Sequence, residues 1–241
     1  MLRKLIKYDL KLFLKFMIPL WGVMVIAGLI QGIETTPDNL TSAKIIVLVF
    51  CFIFIENMIL VIQRFYKSMY GREGYLTHTL PVTSNKLILS KVISATIISF
   101  TTAFILELEN YILLYLQSKI YNGIYSINGI MIQQIKDFMQ IKVLHSIIFT
   151  IIYGIFWVIH LIYQAYTAIT LGQLSNKYKF LTMIVTGAII FYVSYVIEMY
   201  FRTYNTAYTF WDLPTFILFI VEIIICHIII NYITRRKLNL E

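Results

Sequence analysis

Charge is in short supply in this sequence. Only 13% of its 241 residues are Asp, Glu, Lys or Arg, where a soluble domain carries about a quarter. Hydrophobic residues make up 59% and aromatics 16%. That much apolar surface cannot be hidden in one core, because a soluble fold must still cover itself with polar groups. The balance argues against a soluble enzyme and for a chain dissolved in lipid. Cysteine is as scarce: Cys51 and Cys226 both fall inside apolar runs and read as small packing residues, so neither a disulfide framework nor a cysteine-based metal site is expected. Signatures of chemistry are missing too. The chain holds no phosphate-binding loop of the form G-x-x-x-x-G-K-S/T and no zinc-binding H-E-x-x-H,. It has no G-x-S-x-G nucleophile turn,. His145, His160 and His227 are spread over two apolar runs with no carboxylate at ligand spacing, and Glu107 and Glu109 diverge on a helix because residues two apart do not face each other,. No catalytic residue, metal or cofactor is therefore expected in this chain, and no repeat of 20 to 50 residues is visible.

What the sequence does hold is long apolar runs. A helix needs about 20 mostly apolar residues to cross roughly 30 Å of hydrocarbon. Six stretches qualify, at 16–33, 45–63, 92–116, 143–171, 180–201 and 213–233. Polar or turn-forming segments bound them, such as 34–44 with its Pro37-Asp38-Asn39. With both termini placed in the cytoplasm, fifteen of the twenty Lys and Arg residues lie inside, the asymmetry that cytoplasmic loops show. The net charge of +8 is explained in this way, and nucleic acid is not an expected partner. The first run is expected to stay as a span, since Ala27-Gly28-Leu29-Ile30-Gln31 continues without the polar region of a cleavage site,.

Ahead of that run, Lys4, Lys7, Lys11 and Lys15 recur every three or four residues and share one helical face, with Leu5, Ile6, Leu10, Phe13, Phe16 and Met17 opposite,. The pattern predicts an interfacial helix at about 2–15, lysines toward anionic headgroups. The simpler alternative is a basic start to the first span, and Pro19 favours a break between the two parts,. Asp9 falls within the apolar face, where a lone carboxylate is costly unless paired.

The longest inward segment runs from 64 to 91. Phe65, Tyr66, Met69 and Tyr70 form one apolar edge, Gly71 and Gly74 interrupt it, and Pro81 stops the local helix before Thr83 or Ser84 caps the next,. The pattern predicts a short helix or turn at the inner surface exposing a few aromatic and apolar anchors, the kind of surface a cytoplasmic partner uses. An ordinary membrane-surface turn is the plainer reading.

The run Gly74-Tyr75-Leu76-Thr77-His78-Thr79-Leu80-Pro81-Val82-Thr83, with Lys86-Leu87 and Ser90-Lys91 after it, resembles the loop of type-2 ABC exporter permeases from Gram-positive bacteria. The opening Leu5-Ile6-Lys7-Tyr8-Asp9-Leu10-Lys11 resembles the start of the same family. The resemblance implies a permease that pairs with a second copy or a homologous permease in the bacterial cell membrane. It implies separate cytoplasmic subunits that bind ATP and Mg. The loop would then contain the coupling helix, with Met69, Tyr70, Gly74, Tyr75, Leu76, Thr77, Leu80 and Pro81 as the contact region and Tyr75 and Leu76 as anchors. Unlike the large members, this chain has no long external domain.

Several polar residues fall inside the expected spans: Glu56 and Asn57 in the second, Glu107, Glu109 and Asn110 in the third, Glu198 in the fifth and Glu222 in the sixth. Charge at the bilayer centre costs about 2.5–3.5 kcal/mol, so such residues usually face protein or water. Glu198 and Arg202, four apart, are expected to form a structural ion pair,. In the fourth span Tyr153, Trp157, His160, Gln164 and Thr167 fall at intervals of four and three, one seam,. It reads either as a pathway or dimer-facing stripe, or as a helix–helix seam held by hydrogen bonds. Glu56, Asn57, Glu107, Asn110, His160, Gln164 and Glu222 are the pathway candidates. A short amphipathic helix is expected around 130–141.

The expectation is an all-α membrane protein forming one domain: an interfacial helix, six transmembrane helices, both termini cytoplasmic, lipid around it. Its function is expected to be export of a peptide, antibiotic or amphiphile. The alternatives are an ion-coupled secondary transporter using the intramembrane carboxylates, and a membrane-binding subunit that transports nothing.

Overall fold

The computed structural model describes residues 2–34, 40–79, 81–120, 141–175, 177–204 and 213–236. Every regular element among them is an α-helix: α1 (Leu2–Glu34), α2 (Leu40–Met69), α3 (Arg72–Thr79), α4 (Ser84–Ile120), α5 (Ile141–Gly172), α6 (Lys179–Tyr204) and α7 (Leu213–Arg236). Among the described residues five helices are long and apolar enough to cross a membrane, over Leu2–Ile30, Ser84–Glu109, Ile151–Gly172, Lys179–Phe201 and Pro214–Arg235. The expected spans at 16–33, 92–116, 143–171, 180–201 and 213–233 fall on them. The expected span at 45–63 falls on α2, which is 30 residues long and is not among those five, part of it lying outside the residues whose side chains are described. The amphipathic helix expected around 130–141 lies outside the described residues, save for its last position.

One expectation at the N-terminus is corrected. α1 runs unbroken through Pro19 from Leu2 to Glu34, with no break between the expected interfacial segment and the expected span. Proline removes one backbone donor and crowds the carbonyl four residues before it, and α1 carries Pro19 on its exposed side. Lys4, Lys7, Lys11 and Lys15 are all exposed, as their spacing predicts.

The described helices divide into two compact units, Met1–Asp9 with Leu60–Thr96 and Phe149–Glu241, and Leu10–Ile59 with Ile97–Ile148. In the second of these, α1 buries Phe13, Met17, Trp21 and Met24, one stripe at helical spacing,. Met24 packs with Ile53 of α2 and Leu106 of α4, and Val49 lies against them. Two hydrogen bonds cross this apolar packing: the Trp21 indole donates to Thr102 Oγ1 at 3.3 Å and the Asn57 amide to Ser99 Oγ at 2.9 Å. Bonds of this kind hold helices together where lipid removes the usual hydrophobic drive.

In the first unit the end of α2 is the anchor. The Phe65 ring stacks on Tyr166 of α5 with centroids 3.7 Å apart, and both are buried along with Met69, Leu87, Ile88 and Ile162. α5 and α6 approach closely where side chains are small. A Cβ placed on Gly172 would fall 2.2 Å from Met183 Cγ and 2.9 Å from its backbone. Nearby, the Thr182 and Thr186 hydroxyls reach the Gly172 and Ala168 carbonyls at 3.0 and 3.2 Å.

The outer faces stay apolar. Only 6% of the most apolar stretch of α6 is buried, and Phe180, Leu181, Ile184, Ile189, Tyr192 and Val196 stand exposed on it. In water so large an apolar face would aggregate or seek a partner. In hydrocarbon it is the ordinary surface of a helix whose backbone groups are satisfied internally.

Candidate functional site

Two groups of polar residues are built into the first unit. One lies where the two sequence segments that carry the family resemblance meet. Lys91 Nζ, at the start of α4, lies 2.7 and 2.8 Å from the Asp9 carboxylate oxygens on α1, and both side chains are buried. Arg64 of α2 adds Nε at 3.1 Å from Asp9 Oδ1 and passes Nη1 on to Glu73 of α3 at 2.6 Å. The Arg64 guanidinium also lies 5.9 Å above the Tyr8 ring, an attraction aromatic faces offer to cations. Below the network the Tyr166 hydroxyl reaches the Lys91 carbonyl at 3.5 Å. The isolated carboxylate that the sequence placed on an apolar face is thus held by two cations, which is what makes its burial tolerable.

The expected coupling segment is the eight-residue helix α3 and its flanks. The structure separates its residues. Met69 and Tyr70 do not stand out as partner contacts. They are buried, and Tyr70 donates its hydroxyl to Thr170 Oγ1 at 3.0 Å. Burial pushes the Tyr70 hydroxyl above its ordinary pKa of 10.0, against the opposing pull of hydrogen bonds with Thr170 and Thr234. Gly74 is buried, Thr77 is half-buried with its hydroxyl on the Glu73 carbonyl at 2.8 Å, and Pro81 is exposed. Tyr75 is the aromatic that projects, 67% exposed. The Leu76 side chain and Leu80 lie outside the described residues.

The second group lies among α5, α6 and α7. His160 Nε2 contacts Glu222 Oε2, Gln164 Nε2 is 2.9 Å from the same ring nitrogen, and it donates to Glu222 at 3.4 Å. Ser194 of α6 donates to Glu222 Oε2 at 2.7 Å and lies 3.5 Å from His160 Nε2. Phe219 closes the cluster by stacking on the imidazole, centroids 4.7 Å apart. One turn along, the Tyr163 hydroxyl lies 3.1 Å from His227 Nδ1. Three pathway candidates, His160, Gln164 and Glu222, are therefore brought together. Ser194, Tyr163 and His227 were not among the candidates. Ser194 is the one serine of α6, set between Val193 and Tyr195, and carries no periodic signal.

The remaining candidates are not in this group. Asn57 is buried on Ser99 and Glu56 is half-buried beside it. On α4, Glu107 is exposed and Glu109 is buried. A Cβ placed on Gly28 would fall 2.6 Å from Glu109 Cγ, so the glycine leaves the room Glu109 occupies. Asn110 and Arg202 have side chains outside the described residues, and so does the expected pair of Arg202 with Glu198. The single seam on α5 also divides, because His160, Gln164 and Thr167 are buried whereas Trp157 is 39% exposed. Among the described residues no group of three or more His, Cys, Asp or Glu side chains is placed to hold a metal ion.

Five long apolar helices, an exposed apolar surface and polar groups turned inward define a multi-pass, all-α membrane protein. Comparison with protein-family models, with curated proteins and with solved structures finds no match in any of the three.

Proposed function

We propose that this chain is the permease subunit of an ATP-driven exporter in a bacterial cell membrane, with α2 as a sixth span and both termini in the cytoplasm. It works beside a second permease, a copy or a homologue. ATP and Mg are bound by separate cytoplasmic subunits, and the cargo is a peptide, an antibiotic or an amphiphile. The observation that supports this reading best is the bracing of α3. Glu73 on α3 is fastened through Arg64 of α2 to Asp9 of α1, and Asp9 to Lys91 of α4. A push on the short helix that displays Tyr75 is carried straight into the ends of three long helices. Packed interfaces respond to such pushes by switching between discrete arrangements, which is how a coupling helix works.

The test is co-purification from native membranes in mild detergent, comparing wild type with a Tyr75→Ala, Leu76→Ala double variant. The expected result is a stoichiometric partner that binds and hydrolyses ATP, retained by wild type and lost by the variant. Wild type without a nucleotide-binding partner would overturn the reading and leave the ion-coupled carrier in its place.

A further inference from the structure

Asp9 is the only Asp or Glu ahead of Glu34, and it is turned inward, where Lys91 and Arg64 hold it. Lys4, Lys7, Lys11 and Lys15 are exposed, and among the described residues none of the four is ion-paired. Further along the same helix Ile18, Gly22, Ile26 and Leu29 are exposed. At about 100° per residue these four and the four lysines fall within about 100° of arc, with Asp9 on the far side. Ile18 and Ile26 are each 58% exposed. Between them, a Cβ placed on Gly22 would meet nothing within 4 Å. One face of α1 thus passes from uncompensated cations to an apolar line with a notch in it.

The unbroken course of α1 through Pro19 decides what this face meets. A helix lying flat in the interface would offer its lysines to any headgroup beside it. Here the lysines climb along the axis of the span, over about 17 Å from Lys4 to Lys15 at about 1.5 Å per residue. About 20 residues cross the hydrocarbon. Counted back from Ile30, where the apolar stretch ends, they reach Lys11. Counted back from Glu34, where the helix ends, they reach Lys15. The edge of the hydrocarbon falls between these two lysines. Lipid phosphates lie just outside that edge, and both ammonium groups reach them, because lysine stems run along apolar surface while their heads stay wet.

We infer that this face of α1 is a binding site for an anionic phospholipid, with its phosphate between Lys11 and Lys15 and an acyl chain along Ile18, Gly22 and Ile26. The order of cations and apolar residues matches the order of head and chain in a lipid at that depth. The notch at Gly22 lets the chain lie against the helix. A zwitterionic lipid fits less well, because it brings its own cation to a face that carries no acid. Lys4 and Lys7, farther out, add attraction for the same charge. The site is independent of what the chain transports and of what drives it.

Native mass spectrometry of the full chain in mild detergent, with phosphatidylglycerol and phosphatidylcholine added in equal amounts, tests it. Wild type should retain phosphatidylglycerol in preference, and raised salt should weaken that preference. Lys11→Gln with Lys15→Gln should weaken phosphatidylglycerol binding by about fivefold for each lysine removed. Lys177→Gln with Arg235→Gln removes two exposed cations elsewhere and should leave the preference in place. Gly22→Leu keeps every lysine, fills the notch and should also weaken binding. Glycerol 3-phosphate, which has the anion without the chain, should not displace the lipid. Size-exclusion profiles matching wild type establish that the variants are folded, and the salt response of wild type needs no variant. Equal retention of the two lipids, or equal loss in the Lys177 and Arg235 variant, would overturn the site. Displacement by glycerol 3-phosphate would make it a site for free phosphate, and unchanged binding in Gly22→Leu would remove the acyl chain from α1.

Discussion

Lys91 Nζ lies 2.7 Å from one carboxylate oxygen of Asp9 and 2.8 Å from the other, with both side chains buried. The pair joins residues 82 positions apart and closes the N-terminal helix onto the start of α4. Arg64 lies on the same carboxylate, so Asp9 is shared between a buried ammonium and a guanidinium whose other arm leaves for Glu73.

Removing Asp9 strands the buried Lys91 ammonium, which costs about 3–5 kcal/mol, whereas removing Lys91 leaves Asp9 on Arg64. Asp9→Asn should lower the thermal midpoint of the detergent-solubilised protein sharply, and Lys91→Met less so. The double variant should recover much of the Asp9→Asn loss, because no ammonium is then buried alone and Arg64 keeps Glu73. A double-mutant cycle measures this directly, and simple additivity of the two losses would show that the pair is not coupled.

Tyr70→Phe keeps the ring and removes the hydroxyl that bonds Thr170, a loss of about 0.5–1.5 kcal/mol at neutral pH. The hydroxyl pKa is raised in the folded chain, so the unfolded chain releases its proton first as pH rises. Stability linked to Tyr70 is complete below about pH 10 and falls as pH climbs from there toward the folded value. Chemical denaturation at pH 8 and pH 11 should therefore show the deficit of the variant shrinking at the higher pH.

Two glycines on α5 should behave oppositely. Gly172→Ala sets a Cβ against Met183 backbone atoms at 2.9 Å, which only a shift of α5 from α6 relieves. An overpacked contact of that kind costs about 1–3 kcal/mol. Gly154→Ala meets nothing within 4 Å and should stabilise the helix by up to about 1 kcal/mol. Thermal midpoints of the two variants in one detergent decide the sign.

Tyr75→Ala removes an exposed ring and should leave stability within about 0.5 kcal/mol of wild type. The same substitution, in the double variant with Leu76→Ala, is expected to abolish partner binding. A folded but partner-free protein, judged by size-exclusion profile and melting, separates a docking role from a structural one.

Composition and hydropathy by themselves determined that the chain is helical, where most of its long helices lie and that these are apolar enough to cross a membrane. Crossing hydrocarbon demands a run of apolar residues whatever packs beside it, so that signal is local. The spacing of Lys4, Lys7, Lys11 and Lys15 likewise marked one face, because helical geometry needs no neighbour to fix it. Which polar residues meet was decided only in three dimensions. Glu107 and Glu109 share one environment in sequence, yet residues two apart point to different sides of α4, and the room left by Gly28 settles which of them is buried. Asp9 looked like an unpaired liability until folding brought Lys91 and Arg64 to it. Ser194 gave no sign of its place on Glu222. A hydrogen bond joins atoms 2.7 to 3.2 Å apart, and that closeness between distant parts of a chain belongs to the packing of its helices, not to their order.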